Sequence, residues 1–276
     1  MRIGILGLGS IGQRHMQNLL ELDEEDLFAY DPRIGEAFFS CAQIEMTNNI
    51  DTFWDWKPEA ILICTPPDSH YTMISHAAFH KVDKVFVEKP VVHSSHYAKL
   101  LALCNESWKM TIAVGYQLRW QLADVFEGRL SFGCSQNMNH WPSQYQKDIL
   151  LEFSHEIDAA VYINGPVVSV AASEDDKGWH IRLKHIFDKS DIFINPYADT
   201  YVRDIYRDER SGRMRAWSFS TSDNDQAYKH ELVAFLKVCR GEAWDDRLCT
   251  LAQAAHVVKI IDACKRSAKN CEVVHL

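Results

Sequence analysis

RIGILGLGSIGQRH, residues 2–15, joins an apolar run of strand length to a glycine triplet and then to a helical pattern. Gly7, Gly9 and Gly12 stand where a chain leaving a strand must turn tightly and let a pyrophosphate approach a helix N-terminus. Ser10 and Ile11 lie in the same loop and are read with the glycines as nucleotide contacts. Three glycines at this spacing are weak evidence alone, and a glycine turn without a ligand is the alternative. The next strand, LFAYD (27–31), ends on Asp31, 19 residues after Gly12. A carboxylate there is placed to accept from the adenosine ribose hydroxyls and repels a 2′-phosphate, so NAD is the expected cofactor. Arg33, two residues on, is the feature that would admit NADP by pairing with a phosphate.

Further apolar runs follow at AILICTP (60–66), KVFVEKP (84–90) and TIAVGY (111–116), separated by helical patterns over 13–22, 71–80 and 94–107. Continuous apolar strands alternating with helices predict a parallel, doubly wound sheet covered on both faces. Residues just beyond the carboxyl ends of such strands face the ligand crevice. Thr65, Pro66, His70, Glu88 and Lys89 are therefore placed to meet a cofactor, and Pro90 holds Lys89 extended and directs its side chain. A solvent-exposed loop pair is the other reading of Glu88 and Lys89.

A chain of 276 residues, 47% hydrophobic, can bury a sizeable core and predicts two domains, residues 1–118 and 119–276. Its net charge of -9 argues against nucleic acid as a partner, since phosphate binding needs Lys and Arg, and points to a small molecule. The eight cysteines form no CxxC pair and sit mostly in apolar runs, as reduced core cysteines do. MRIGILGLG enters a strand at once, and no apolar run reaches the roughly 18 residues that span a bilayer, so a cytoplasmic protein without membrane partners is expected.

From Gly128 onward the strands RLSFGCSQ, VVSVAAS, HIRLKHIF, DIFINPY and RAWSFST alternate with short turns and predict an α+β domain with a mostly antiparallel sheet. Between the first and second of these lies LLEFSHEIDAAVYI (150–163), with Ser154 as a helix cap and Ile157, Ala160 and Val161 facing the core. His155, Asp158 and Tyr162 share a side, and Glu152 joins them at i−3. Either this is a solvated polar face or it carries catalytic groups. Tyr116, Arg119 and Trp120 follow the fifth strand, and Tyr145 precedes the helix; all four are candidate substrate contacts. Arg119 suits an anionic group, with a structural ion pair as the alternative. No cluster of His, Cys, Asp or Glu predicts a metal site.

GLGSIGQRH, CTPPDSH, VEKPVV, VGYQLRW and SHEID, in this order, resemble the glucose-fructose oxidoreductase / inositol dehydrogenase (Gfo/Idh/MocA) family. The resemblance covers the first half well and the second loosely. It implies a Rossmann dinucleotide-binding domain followed by an α+β domain with an open sheet for substrate binding and oligomer contacts, here as a homodimer or homotetramer. It also implies hydride transfer between a nicotinamide and a hydroxyl-bearing carbon of a sugar or sugar derivative. The family's catalytic lysine and histidine map onto Lys89 and His155. His155 would take the hydroxyl proton, Lys89 would hold the oxygen, and Glu152 would orient His155 or bind a neighbouring hydroxyl. One departure is QKDILLEF before the histidine, where many members carry a glycine-rich run and an aspartate; Glu152 is the nearest acid. VGYQLRW and CTLAQAAHVVKI look like members associated with bacterial surface-sugar synthesis. The alternatives are a non-catalytic dinucleotide-binding regulator and a reductase of a non-sugar substrate such as an imine or tetrapyrrole.

Overall fold

The computed structural model describes residues 1–35, 44–122, 129–137, 149–186, 189–195, 197–208, 214–218 and 221–276. Contacts group them into two compact units, Met1–Tyr116 with Gln226–Ala255, and Gln117–Asp225 with His256–Leu276. A linear division at 118/119 puts residues 226–255 with the second half, whereas the contacts return them to the first.

The chain begins with β1 (Ile3–Leu6), α1 (Ser10–Glu21), β2 (Leu27–Tyr30), β3 (Glu45–Thr47), α2 (Ile50–Asp55), β4 (Ala60–Ile63), α3 (Pro67–Phe79), β5 (Lys84–Glu88), α4 (Ser95–Trp108) and β6 (Thr111–Gly115). It continues through α5 (Leu118–Gln121), β7 (Arg129–Asn137), α6 (Ile149–Glu152), α7 (Ser154–Asn164), β8 (Val167–Asp175), β9 (Gly178–His185), β10 (Lys189–Asn195), β11 (Tyr197–Asp208) and β12 (Met214–Ser218). The last elements are α8 (Thr221–Cys239), β13 (Cys249–Thr250), α9 (Leu251–Asn270) and β14 (Val274–His275).

The first sheet runs β13-β6-β5-β4-β1-β2-β3, with every pair parallel except β13 on β6. This is the Rossmann order, and it reverses between β1 and β4. Ile3–Leu6 and Ala60–Ile63 are buried throughout, as central strands covered on both faces must be. The short β3 and the six-residue α2 escape an apolar-period reading; Asn49 caps α2 by accepting from the Asp51 and Thr52 amides. Within this unit α8 buries Leu232, Phe235, Leu236 and Cys239, the stripe its spacing predicts, with Phe235 against Phe86 at 5.6 Å between ring centroids.

The second sheet runs β12-β11-β7-β10-β9-β8-β14 and is antiparallel except where β10 meets β7. Along β9 buried and exposed residues alternate, the mark of a sheet with one covered face. The longest strand, β11, reads YADTYVRDIYRD and gives little apolar signal. The expected α/β and α+β pair is thus the observed architecture. No helix among the described residues is long and apolar enough to cross a membrane.

Candidate functional site

Gly7 sits at φ +93°, and a Cβ there would lie 2.9 Å from the Cys64 carbonyl and the Thr65 amide nitrogen, so the turns after β1 and β4 touch through it. A Cβ on Gly12 would lie 2.0 Å from the Gly7 carbonyl oxygen, which leaves no room for any side chain between turn and helix. A Cβ on Gly9 would meet nothing within 4 Å. Gly9 is also the N-cap of α1, which carries no side-chain cap bond and no acid in its first turn. An open approach to uncapped amides at a positive helix end fits a pyrophosphate.

Asp31 is 3% exposed, and its carboxylate is fully engaged. Oδ2 accepts from the Leu8 amide at 2.8 Å and Arg33 Nη2 at 3.0 Å, while Oδ1 accepts from the Arg33 amide at 3.0 Å and Nε at 2.9 Å. Burial works against ionisation, but the bonds from Arg33 and Leu8 outweigh it and hold the carboxyl below the usual carboxylate range. The Leu8 bond ties Asp31 to the glycine loop. The Arg33 side chain is 54% exposed, so its fork on this carboxylate is held at small cost.

The ends of β4 and β5 carry the remaining candidates of the first unit. Thr65 is half-buried and its Oγ1 accepts from Ser69 Oγ at 2.7 Å; Pro66 is exposed. His70 is fully buried, with Nδ1 2.9 Å from the Pro90 carbonyl oxygen and Nε2 2.7 Å from that of Thr65. Burial pushes its pKa down despite those carbonyls and Glu88. His70 therefore joins two loops and offers no ring nitrogen to a nucleotide, unlike the direct contact its position predicts. Glu88, 6% exposed, does not lie in an open loop either: its Oε1 stands 2.7 Å from His15 Nε2. Lys89 is half-buried and follows through a cis peptide to Pro90. His15 is a residue the sequence reading passed over, though it sits in the quoted GLGSIGQRH.

In the second unit α7 overturns the picture of a solvated polar face. Every residue from Ser154 to Val161 is buried, including His155 at 5% exposure and Glu156 and Asp158 at 0%. Ser154 does not cap the helix; Phe153 is the N-cap residue, and Ser154 is the first helical position. Arg119 explains Asp158: Nε donates to Oδ2 at 2.8 Å and Nη2 to Oδ1 at 2.7 Å, both side chains fully enclosed. The guanidinium also lies 4.9 Å from the centre of the Tyr162 ring. This is the ion-pair alternative for Arg119 rather than an anion receptor. Tyr116 and Trp120 are 0% and 8% exposed, and the Tyr116 amide donates to Glu231 Oε1 at 2.8 Å. No sequence spacing pointed to Glu231. Glu152 ends α6, but its side chain, like all of Tyr145, lies outside the described residues.

Residues 1–116 match the Gfo/Idh/MocA family model, described as an oxidoreductase family with an NAD-binding Rossmann fold. An uncharacterized oxidoreductase, YrbE of Bacillus subtilis (strain 168), is 32% identical over 122 residues, 42% of this chain and 36% of that protein. The match thus spans little more than a third of the curated relative. Among solved structures, a myo-inositol dehydrogenase from Corynebacterium glutamicum ATCC 13032 superposes with a TM-score of 0.82 at 18% identity, covering 100% of this chain and 98% of that one. UDP-N-acetylglucosamine 3-dehydrogenase GnnA from Acidithiobacillus ferrooxidans superposes with a TM-score of 0.80 at 15% identity, covering 98% of both chains. The two structures share the fold from end to end.

Proposed function

We propose that this chain, whose residues 1–116 match the model of the NAD-binding Gfo/Idh/MocA oxidoreductase family, is a dehydrogenase acting on a hydroxyl-bearing carbon of a sugar or sugar derivative. The observation that carries this reading is the burial of His155 together with its polar neighbours on α7. Enclosing polar side chains costs free energy that an apolar helix face would avoid, so their presence asks for a function.

NAD, when bound, accepts or gives a hydride at nicotinamide C4. The chain's own groups do the rest. The first-turn amides of α1 hold the pyrophosphate, with Ser10 and Ile11 in the same turn, and Asp31 accepts from the adenosine ribose once Arg33 swings aside. Thr65 and Pro66 border the cofactor crevice. His155 takes the proton of the reacting hydroxyl, and an imidazole works in both directions near neutral pH. Lys89 holds the oxygen and steadies its developing negative charge. Glu152 orients His155 or binds a neighbouring hydroxyl, and Trp120 and Tyr145 line the substrate pocket. The similarity to a UDP-N-acetylglucosamine 3-dehydrogenase fold supports a nucleotide-linked or amino sugar, as surface-sugar synthesis requires. The protein acts as a homodimer or homotetramer in the cytoplasm.

Calorimetric titration tests the cofactor part: NAD binds more tightly than NADP, and Asp31→Ala weakens NAD about tenfold or more by removing two charge-assisted bonds. A panel of cyclitols, free sugars and nucleotide-linked sugars, followed by NADH absorbance, tests the reaction. Tight NAD binding with no turnover across the panel supports the regulator instead, and turnover of an imine or tetrapyrrole alone supports the non-sugar reductase.

A further inference from the structure

Two buried histidines grip the chain on either side of Lys89. His15, on α1, is fully enclosed, its ring edge-on to Phe86 and Tyr228 at 5.4 and 5.6 Å between centroids. Its Nε2 donates to Glu88 Oε1 at 2.7 Å, since a carboxylate only accepts. Glu88 Oε2 in turn accepts from the Lys89 amide at 3.2 Å. His70, on α3 and equally enclosed, sets Nδ1 2.9 Å from the carbonyl oxygen of Pro90, the residue after Lys89, and Nε2 2.7 Å from that of Thr65; a neutral ring carries one proton, which the role proposed for His70 places on Nδ1. Neither ring has an edge open to a ligand. A polar ring enclosed among apolar neighbours is an expensive way to fill space.

We propose that His15 and His70 are positioning residues for Lys89: His15 Nε2 fixes Glu88, His70 Nδ1 fixes Pro90, and the lysine side chain leaves the backbone in one direction. The role rests on the reading of Lys89 as the group that holds the substrate oxygen. A lysine is a point charge on a flexible stem, so the place its ammonium reaches depends on where its Cα–Cβ bond points. The two helices start from neighbouring turns, α1 from the glycine loop and α3 from the turn after β4, so the seat of Lys89 is built from the same parts that the proposed function gives to the nucleotide.

Amide isosteres test the assignment atom by atom. An asparagine amide nitrogen overlays Nδ1 of histidine, and a glutamine amide nitrogen overlays Nε2. His15→Gln and His70→Asn therefore keep the bond that matters, while His15→Asn and His70→Gln lose it. For all four, kcat, KM and the NAD Kd are measured beside a thermal melt. His15→Gln and His70→Asn are expected to keep kcat within about threefold, and His15→Asn and His70→Gln to lose about 100-fold in kcat, the cost of an ångström's misplacement, with NAD Kd little changed. Equal losses within each pair overturn the assignment. If a disrupting variant does not fold, its folded isostere decides: wild-type kcat supports the assignment and lost kcat overturns it. Reductive methylation read by mass spectrometry separates this role from the role of Lys89 itself, with exposed Lys109 as the internal reference. A labelling rate at Lys89 that changes in His15→Asn and His70→Gln but not in their isosteres supports the seat even if Lys89→Met keeps turnover. An unchanged rate overturns it.

Discussion

Lys89→Met and His155→Ala are each expected to lower kcat by ~10²–10⁴-fold while the NAD Kd stays within about threefold of wild type. Methionine keeps the length and apolar body of lysine but removes the charge that the proposed mechanism sets against the substrate oxygen. Alanine removes the imidazole of α7, and Asp158, committed to Arg119, does not replace it. The double variant is expected to lose little more than the worse single one, because residues that act on one transition state are not additive. Full turnover in either folded, NAD-binding variant means the assignment is wrong.

Asp158→Ala is expected to destabilise the second unit by about 3–5 kcal/mol, because it leaves the Arg119 guanidinium enclosed without its counter-charge. The bidentate geometry and full burial place this pair far from the exposed kind, which contributes about 0–1 kcal/mol. Replacing both partners by apolar residues of similar volume, Arg119→Met with Asp158→Leu, is expected to recover most of the loss. Urea melts followed by tryptophan fluorescence measure all three proteins. A loss below about 1 kcal/mol in Asp158→Ala would show that water or another anion reaches Arg119, and that the site is open to ligands after all.

Much of the first unit was legible in the chain because its signals are local. A buried parallel strand such as Ile3–Leu6 is a continuous apolar word, and Gly12 has to be glycine because a neighbouring carbonyl occupies the space of a side chain. Asp31 was legible too, though not its engagement by Arg33, since the same two residues two apart fit either partnership. Other features depend on pairing across the chain. β13 is two residues long and becomes a strand only by meeting Val114 and Ala113, so the return of 226–255 to the first unit has no periodic signature. The polar residues of α7 fit either a wet face or a catalytic one because amphipathic spacing reports which residues differ, not which are covered. Arg119, 39 positions away, is what makes Asp158 tolerable inside. His70 and Glu88 were placed at the crevice by the topology, yet both turn inward to bond the protein itself.

A structure of the NAD complex tests whether Lys89 and His155 serve one reaction. The nicotinamide C4 should face both side chains, with Lys89 Nζ and a His155 ring nitrogen each within about 3.5 Å of one shared point where a substrate oxygen can sit. A nicotinamide that faces only one of them, or neither, would contradict the account.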